Sequence, residues 1–352
     1  MINPHLTPVQ FPRYSSCGGC AEGNKTDAEL AECVHPCFNL SFILEWERFA
    51  AENGYKLVYF PSRPGPKDEA PVNISAWWLP APDRAGRPAP RVVAFHGMSS
   101  NNNHCGVQST CYLLRSIGFS CLALSARDCG LSGASTHPTV GSWGYDYHLD
   151  ALGAWDYAVG DPEGLLGGSL PPAQVGIMGF SKGALESAIA FGLEPRIPGA
   201  WLDSGPFGGL FGMTHDVVSG IFGPVLGDPF ARIVFAFSIL ASGHRVDNYD
   251  PLALMSNCTV GSRRQVMIAH SSLDQTVPVA YAGEAVKVLS GLPGCYEVSS
   301  FTPPEFCNGE THHQEMWEFP DDTRSKLCHF WSRTFVRDPA DCRLDSLGEP
   351  KW

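Results

Sequence analysis

The stretch QVGIMGFSKGALESA, residues 174–188, decides the fold. Its first seven residues form an apolar run of strand length, and the residues after the serine are typical of a helix. Between the two stands GFSKG at 179–183, a G-x-S-x-G sequence that follows a strand and opens a helix. A sharp turn of this kind requires small residues at Gly179 and Gly183, and it holds the serine hydroxyl clear of its neighbours. Ser181 is therefore the candidate nucleophile.

Strand-like and helix-like segments alternate on both sides of this stretch. We expect helices at 38–53, 107–117, 147–159, from 182 onward and at 323–335. The predicted strands are KLVYF at 56–60, ISAWWL at 74–79, RVVAFHG at 91–97, SCLALSA at 120–126, QVGIMGF at 174–180, GAWLDS at 199–204, QVMIAH at 265–270 and CYEVSSF at 295–301. Alternation of strand and helix predicts an α/β fold with an eight-stranded, mostly parallel sheet and helices on both faces.

The chain is expected to contain one main domain with three additions. Residues 1–53 form a Cys-rich N-terminal extension and a helix, and the main domain follows at 54–338. A Phe-rich, helix-like insertion at about 205–262 interrupts the strands and is predicted to be a helical cap over the sheet. Residues 339–352 form a C-terminal tail.

Composition and charge exclude several classes of function. With 44% hydrophobic and 17% charged residues in 352, the chain can bury a large core. Its net charge of -12 repels nucleic acid, so we expect no nucleic-acid partner. No run is apolar and long enough to span a bilayer, the best candidate being 231–241. The N-terminus also lacks a signal peptide, which favours a cytoplasmic protein, and the oligomeric state stays open.

Thirteen cysteines keep a secreted or luminal location possible. Four glycosylation sequons point the same way, at Asn24, Asn39, Asn73 and Asn257. One C-x2-C pair and one C-x3-C pair have spacing that resembles a zinc site. The surrounding pattern of a known zinc finger is missing, so we expect disulfides or free thiols there. These pairs are Cys17, Cys20, Cys33 and Cys37. Cys121 and Cys328 lie in apolar runs and are expected to be buried thiols.

The sequence resembles the α/β-hydrolase family in the order of its features. A strand is followed by an HG turn, strands and helices then alternate around GFSKG, and an Asp and a His come late in the chain. The resemblance is closest to the Bem46-like and serine-aminopeptidase-like branch and covers residues 54–336. It implies catalysis through an acyl-serine intermediate, without a cofactor or a metal. The sequence HGM at 96–98 is similar to the family turn that supplies half of the oxyanion hole, so the resemblance assigns the two N–H donors to Met98 and Lys182.

The same resemblance implies the acid and the base of a catalytic triad. The family acid falls on HSSLDQTVP at 270–278, which makes Asp274 the candidate. Asp203, at the end of the strand GAWLDS, is the alternative acid. His270 precedes the acid turn and is expected to be a structural, hydrogen-bonding histidine.

Two adjacent histidines compete for the role of the base. GETHHQEMW at 309–317 follows the last strand, and the family branch often has H-N-D or H-N-E before an aromatic residue. His313 fits that register and is the predicted base, with His312 as the alternative. The extended loop at 302–311 departs from the family pattern and weakens this register.

The predicted activity is hydrolysis of an ester, thioester or amide, most simply by a carboxylesterase-like enzyme, because alcohol leaving groups demand least of the acid. A serine peptidase and an acyl-thioesterase on the same fold are alternatives, as is a lyase that uses the triad without acylation. A non-catalytic binding protein is an alternative from a different class of function, because a fold can persist after its catalytic activity has been lost.

The Phe-rich cap points to the kind of substrate. Pockets that bind acyl groups are apolar and lie above the carboxyl ends of the strands. We therefore expect a small-molecule acyl substrate that binds in a pocket lined by Phe207 and Phe211. Within the cap, Asp228 is the predicted N-cap of a helix whose first residue is Pro229.

Overall fold

The computed structural model describes residues 26–52, 55–65, 70–82, 88–98, 100–135, 146–242, 249–261, 263–303, 312–313 and 315–336. The first 25 residues, with Cys17, Cys20 and the sequon at Asn24, lie outside this range, and so does the tail at 339–352.

A single eight-stranded sheet forms the centre of the molecule, in the order β1-β2-β4-β3-β5-β6-β7-β8. The strands are β1 Lys56–Pro61, β2 Asn73–Leu79, β3 Arg91–Phe95, β4 Ser120–Leu124, β5 Val175–Phe180, β6 Gly199–Asp203, β7 Arg264–Ala269 and β8 Tyr296–Phe301. β2 runs antiparallel to β1 and β4, and every other pair is parallel. The predicted mostly parallel sheet is confirmed.

Helices cover both faces of the sheet, as the alternating pattern predicts. They are α1 Asp27–Cys33, α2 Leu40–Glu52, α3 Cys105–Ser116, α4 Tyr147–Gly160, α5 Lys182–Leu193, α6 Gly209–Phe222, α7 Pro224–Ser242, α8 Pro251–Ser256, α9 Ala280–Ser290, α10 Glu315–Glu318 and α11 Pro320–Thr334. One face packs on α2, α3 and α11, and the other on α4, α5, α8 and α9. Alternate residues of one strand serve the two faces, with Val92 in the first core and Val93 in the second.

The cap is a hairpin of two helices, α6 and α7, held on the domain by a small apolar cluster. The cluster joins Leu185 and Ile189 of α5 to Leu210, Met213 and Phe235 of the hairpin. The predicted helix start at Asp228 is wrong, because α7 begins earlier, at Pro224. Pro224 has the fixed φ that suits a first helical position, and Pro229 lies inside the helix. Asp228 instead pairs with Arg232 one turn later, at 2.9 Å.

Disulfides replace the thiols expected in the apolar runs. Cys121 on β4 is bonded to Cys111 on α3, and Cys328 is also disulfide-bonded, so the buried-thiol prediction is wrong for both. α3 packs directly against β4 and brings the first pair to a Cα separation of 5.4 Å, which spacing along the chain does not reveal. A second bond joins Cys258 to Cys295. Three more cysteines are also bonded: Cys33, Cys37 and Cys105.

Among the residues described, no helix has both the length and the apolarity to cross a membrane. The same part of the chain holds no cluster of three or more His, Cys, Asp or Glu side chains arranged to bind a metal ion.

Candidate active site

Ser181 stands on a strained turn between β5 and α5. Its backbone has φ 53° and ψ -122°, a region that non-glycine residues rarely occupy. The turn is tight because a Cβ on Gly179 would lie 2.1 Å from the carbonyl oxygen of Gly183. A Cβ on Gly183 would lie 2.4 Å from the carbonyl oxygens of Phe95 and His96. Glycine at both positions therefore allows the backbones to approach and presents Ser181 at the end of the strand.

The turn after β3 lies directly beside Ser181. A Cβ on Gly97 would be 3.3 Å from the Cβ of Ser181. Burial lowers the pKa of His96 to about 3, so its ring is neutral, and its Nε2 accepts a hydrogen bond from the N–H of Ala126. Its Nδ1–H therefore donates to the carbonyl of Gly97, at 2.8 Å. Because a trans peptide is planar, this bond directs the N–H of Met98 to the opposite side.

Lys182 begins α5, immediately after the serine. The first N–H groups of a helix have no partner within it, so the backbone N–H of Lys182 points out of the helix end. Its side chain turns away into the protein, where the ammonium lies 4.0 Å from the ring centre of Tyr147. Burial lowers the pKa of Lys182, with the nearby Glu186 carboxyl opposing part of that effect.

Asp274 is a fully buried carboxylate after β7 that accepts hydrogen bonds on both oxygens. Oδ1 accepts from the backbone N–H groups of Thr276 and Val277, at 2.8 and 2.9 Å. Oδ2 lies 2.7 Å from Nδ1 of His312 and 3.3 Å from Nε2 of His270. Burial alone would raise the pKa of Asp274, but the hydrogen bonds from the two histidines outweigh it and hold the pKa below its ordinary value.

His270 is one of the residues that hold this acid turn together. Its buried ring directs Nε2 at the carbonyl of Val277, at 3.0 Å, as well as at Asp274. Because both neighbours are acceptors, Nε2 carries the hydrogen. The ring therefore closes the turn that contains Asp274, which agrees with the structural role predicted for His270.

The structure separates the two adjacent histidines. His312 contacts the acid, whereas the ring of His313 lies 5.4 Å from His104 and 6.0 Å from Phe180, measured between ring centres. Nδ1 of His313 has no hydrogen-bond partner among the residues described, and burial lowers its pKa well below the ordinary value. His313 adopts a φ of 43°, and its ring lies edge to face against that of His312, with the ring centres 4.3 Å apart. The predicted register is therefore corrected: the contact expected of His313 is made by His312.

Asp203, the alternative acid, lies at the end of β6 in a different environment. Its carboxyl group is buried and lies beside that of Glu315 on α10, which is buried as well. Burial, and then the adjacent carboxyl, raise the pKa of Asp203 well above its ordinary value. Its side chain accepts a hydrogen bond from Ser204, and neither His312 nor His313 bonds to it in the part of the chain described. A protonated carboxyl without a histidine partner does not suit the role of the acid.

A pocket of about 330 Å³ opens beside Ser181. Its walls come from the turn after β3 that contains Met98, from α6 of the cap and from the turn after β7 that contains Asp274. The lining residues are Met98, Ser181, Lys182, Pro206, Met213, Asp216, Val217, Ser219, Gln275, Thr276, Val277 and Pro278. The prediction that Phe207 and Phe211 line the pocket is wrong for this cavity. Phe207 is buried in the core on the face of the sheet that packs on α4 and α5, and Phe211 packs edge to face on Phe235 within the cap.

Sequence reasoning also missed one polar group in the pocket wall. Asp216 on α6 accepts a hydrogen bond from the hydroxyl of Tyr281 on α9, at 2.6 Å. The two residues are far apart in the chain, and each stands in an ordinary helical sequence, so no local signal identifies the pair. The bond ties the cap to the domain at the wall of the pocket.

Comparison with solved structures identifies the architecture. An esterase from Pyrococcus furiosus, Pf2001, superimposes with a TM-score of 0.55 at 21% identity, over 92% of this chain and 97% of that one. The chain has the α/β-hydrolase fold. The α/β hydrolases similar to it include an acylaminoacyl peptidase from Pyrococcus horikoshii, with a TM-score of 0.56 and 15% identity over 83% of this chain and 43% of that one.

A third similar structure is that of Est1E from Butyrivibrio proteoclasticus with bound ferulic acid. It has a TM-score of 0.50 and 14% identity over 76% of this chain and 97% of that one. No family model and no curated protein sequence matches the chain.

Proposed function

We propose that this α/β-hydrolase-fold protein is a serine hydrolase with Ser181 as nucleophile, His312 as base and Asp274 as acid. The observation that carries the proposal is the 2.7 Å contact between Nδ1 of His312 and a carboxylate that is itself held by three further donors. Asp274 follows β7 and Ser181 follows β5, so the two groups share the carboxyl edge of the sheet. Binding sites of open α/β sheets lie at this edge.

The geometry defines how protons move in the proposed reaction. Because Asp274 accepts from Nδ1–H, the ring of His312 carries its lone pair on Nε2. Nε2 takes the proton of the Ser181 hydroxyl as the oxygen attacks the carbonyl, and the carboxylate stabilises the imidazolium that forms. Nε2–H then protonates the leaving group. Water, activated by the same nitrogen, releases the acyl group from the serine.

Two backbone N–H groups are assigned as the donors that stabilise the negative charge developing on the substrate oxygen. The N–H of Lys182 is at the start of α5, and the N–H of Met98 is directed by the bond from His96 to Gly97. Donors fixed before the reaction do not have to reorganise, and each contributes on the order of 3 kcal/mol to lowering the barrier.

The pocket favours a small acyl ester over a large or highly charged substrate. Its volume of about 330 Å³ is at the small end of ligand sites, and most of its wall is apolar. Ester hydrolysis is the default because an alkoxide is expelled more readily than an amide anion, so an ester depends less on protonation of its leaving group. The similarity to an esterase and to an acylaminoacyl peptidase keeps the thioesterase and peptidase reactions as alternatives.

The disulfides favour an oxidising compartment over the cytoplasm. Disulfide bonds persist in secreted and luminal proteins and are rare where glutathione keeps thiols reduced. The bonds Cys111–Cys121 and Cys258–Cys295 therefore support the secreted or luminal alternative.

Labelling with a fluorophosphonate probe, followed by peptide mapping, tests the proposed nucleophile. We expect the probe to modify Ser181 in the intact protein and to fail in the Ser181→Ala variant. Ser219 lines the same pocket, so Ser219→Ala is the matched control and should be labelled like the wild type. The unlabelled wild type should hydrolyse p-nitrophenyl esters of short acyl chains, and labelling of Ser181 should abolish that activity. A folded protein that is not labelled at Ser181 would contradict the proposal and favour a binding protein.

A further inference from the structure

The outer side of α7 carries a row of exposed apolar side chains, which we call the outer stripe: Leu226, Phe230, Ile233, Phe237 and Leu240. Their exposed fractions are 53%, 41%, 64%, 67% and 81%. Side chains of this size are seldom left so open along a whole helix, and a contiguous apolar patch on a soluble protein marks a site of interaction.

The stripe follows the spacing of a helix that packs on another helix. Its members are separated by four, three, four and three residues, the repeat of a coiled-coil seam. The inner face of α7, formed by Gly227, Ala231, Phe235 and Ser238, is buried against the domain. At 100° per residue the centre of the stripe is rotated by about 135° around the helix from the centre of the inner face. Phe230 also stacks on Phe222 of α6, with the ring centres 4.8 Å apart, but the packing of the inner face does not account for the rest of the stripe.

The composition of the stripe is the same in both directions. It reads Leu, Phe, Ile, Phe, Leu from either end, with Ile233 at the centre. In an antiparallel pair of α7 helices, Ile233 would meet Ile233 of the other copy, Phe230 would meet Phe237, and Leu226 would meet Leu240. A two-fold axis requires this self-complementarity, since each residue contacts its counterpart reciprocally.

We propose that the outer stripe is a dimerisation surface, and that two copies of this chain pair through antiparallel α7 helices about a two-fold axis at Ile233. This inference is independent of the proposed function. Because α6 packs against α7 and lines the pocket with Met213, Asp216 and Val217, the dimer would also hold the cap in place over the site.

The exposed area is sufficient for a stable pair. Five side chains with these exposed fractions offer on the order of 600 Å² per copy, and the pair would bury about 1,200 Å², the lower end of stable interfaces. Neighbouring side chains at the turn between the two cap helices, Ile221, Phe222 and Val225, are also exposed and extend the apolar area.

Charge favours a second copy over a lipid surface. The charged residues of α7, Asp228 and Arg232, form an ion pair with each other, so the helix brings no net charge to the interface. Membrane-surface helices usually combine an apolar face with Lys and Arg on the other face, and α7 lacks that basic face. The net charge of -12 also opposes anionic lipid.

Light scattering on the full chain, with and without a charge on the two-fold axis, tests the surface. We expect a mass of twice 38.1 kDa at micromolar concentration for the wild type. Ile233→Glu places two like charges against each other and should weaken the dimer by about 100-fold or more in dissociation constant. Val260→Glu is the control, because Val260 is 80% exposed outside α7, and it should remain dimeric.

A pair of double variants tests the antiparallel arrangement. F230E/F237E and F230K/F237E remove the same apolar groups, but only the second places opposite charges at both contacts between the copies. We expect F230E/F237E to be monomeric and F230K/F237E to recover the dimer, at low salt in particular. Far-UV circular dichroism checks that each variant is folded.

Two results would overturn the proposal. A wild-type chain that stays monomeric at micromolar concentration would do so, and co-flotation of that monomer with phosphatidylcholine vesicles would assign the stripe to a lipid surface instead. A dimer that survives Ile233→Glu with an unchanged dissociation constant would place the contact elsewhere.

Discussion

The turn that contains Asp274, the acid turn, and the cap hairpin differ in how far their side chains are buried. At the acid turn, the carboxylate of Asp274 is fully buried and receives hydrogen bonds from two backbone N–H groups and two histidines. On the cap, the outer stripe of α7 leaves five large apolar side chains in contact with solvent. Groups that must hold one geometry are enclosed by partners, whereas the large side chains of the outer stripe are 41% to 81% exposed. The effects of substitutions on activity and on the free energy of unfolding should therefore differ in sign and in size between the two regions.

The largest effect is expected at the two adjacent histidines, which differ in their contact with Asp274. His312→Asn should lower kcat/KM for a p-nitrophenyl ester by about 10⁵-fold, because it removes the proposed base of the serine. His313→Asn is the matched variant, since asparagine tolerates the positive φ at this position. It should lower kcat/KM by less than about 10-fold.

Steady-state kinetics on both variants checks this expectation, with the unfolding midpoint as a measure of folding. The reverse order, with His313→Asn the more damaging in a folded protein, would return the base to the register predicted from the sequence.

The same glycine-to-alanine change should have opposite effects in the two regions. Gly183→Ala drives a Cβ into the carbonyl oxygens of Phe95 and His96, and should reduce the free energy of unfolding by about 3 kcal/mol. Gly220 lies on α6 of the cap, where a Cβ would meet nothing within 4 Å. Gly220→Ala should therefore raise that free energy by about 0.5–1 kcal/mol, since alanine favours a helix.

Urea unfolding of the two alanine variants at one pH measures both changes. A stabilised Gly183→Ala variant would show that the turn after β5 is looser than the contact distances indicate.

A smaller, pH-dependent effect is expected from Glu186 on α5, behind the nucleophile. Burial raises the pKa of Glu186 to about 8, from an ordinary value of 4.5. Below 4.5 the carboxyl is protonated in both states, and between these values only the folded state keeps the proton. The folded protein therefore loses stability as pH rises from about 4.5 to 8. Glu186→Gln should remove this loss and gain about 3 kcal/mol relative to wild type at pH 8.

The exposed cap pair provides the control for this pH series. Asp228→Asn breaks only a solvent-exposed ion pair with Arg232, so the dependence of stability on pH should stay that of the wild type. Urea unfolding from pH 5 to 8 makes the comparison. A Glu186→Gln variant with the same pH dependence as the wild type would mean that Glu186 is ionised in the folded state.

Local pattern predicted the sheet well because strand formation depends on short apolar runs. The eight strands lie within one or two residues of the predicted runs, and the glycines around Ser181 meet backbone atoms that leave no room for a side chain. The pocket was predicted less well, since Phe207 and Phe211 point into a core and into the cap. Which side of a helix faces a cavity depends on how the hairpin packs, and the pattern of apolar residues does not show it.

The sequence by itself predicted the alternating α/β sheet and the sharp serine turn, because both follow from residues close together in the chain, and its resemblance to the α/β-hydrolase family implied Asp274 as the candidate acid. Only the tertiary structure shows that His312, the neighbour of the predicted His313, makes the hydrogen bond to Asp274. It also decided the pairing of Cys111 with Cys121, which depends on how α3 packs against β4. Choices of this kind depend on distances between elements that are remote in sequence, and a one-dimensional pattern carries no record of those distances.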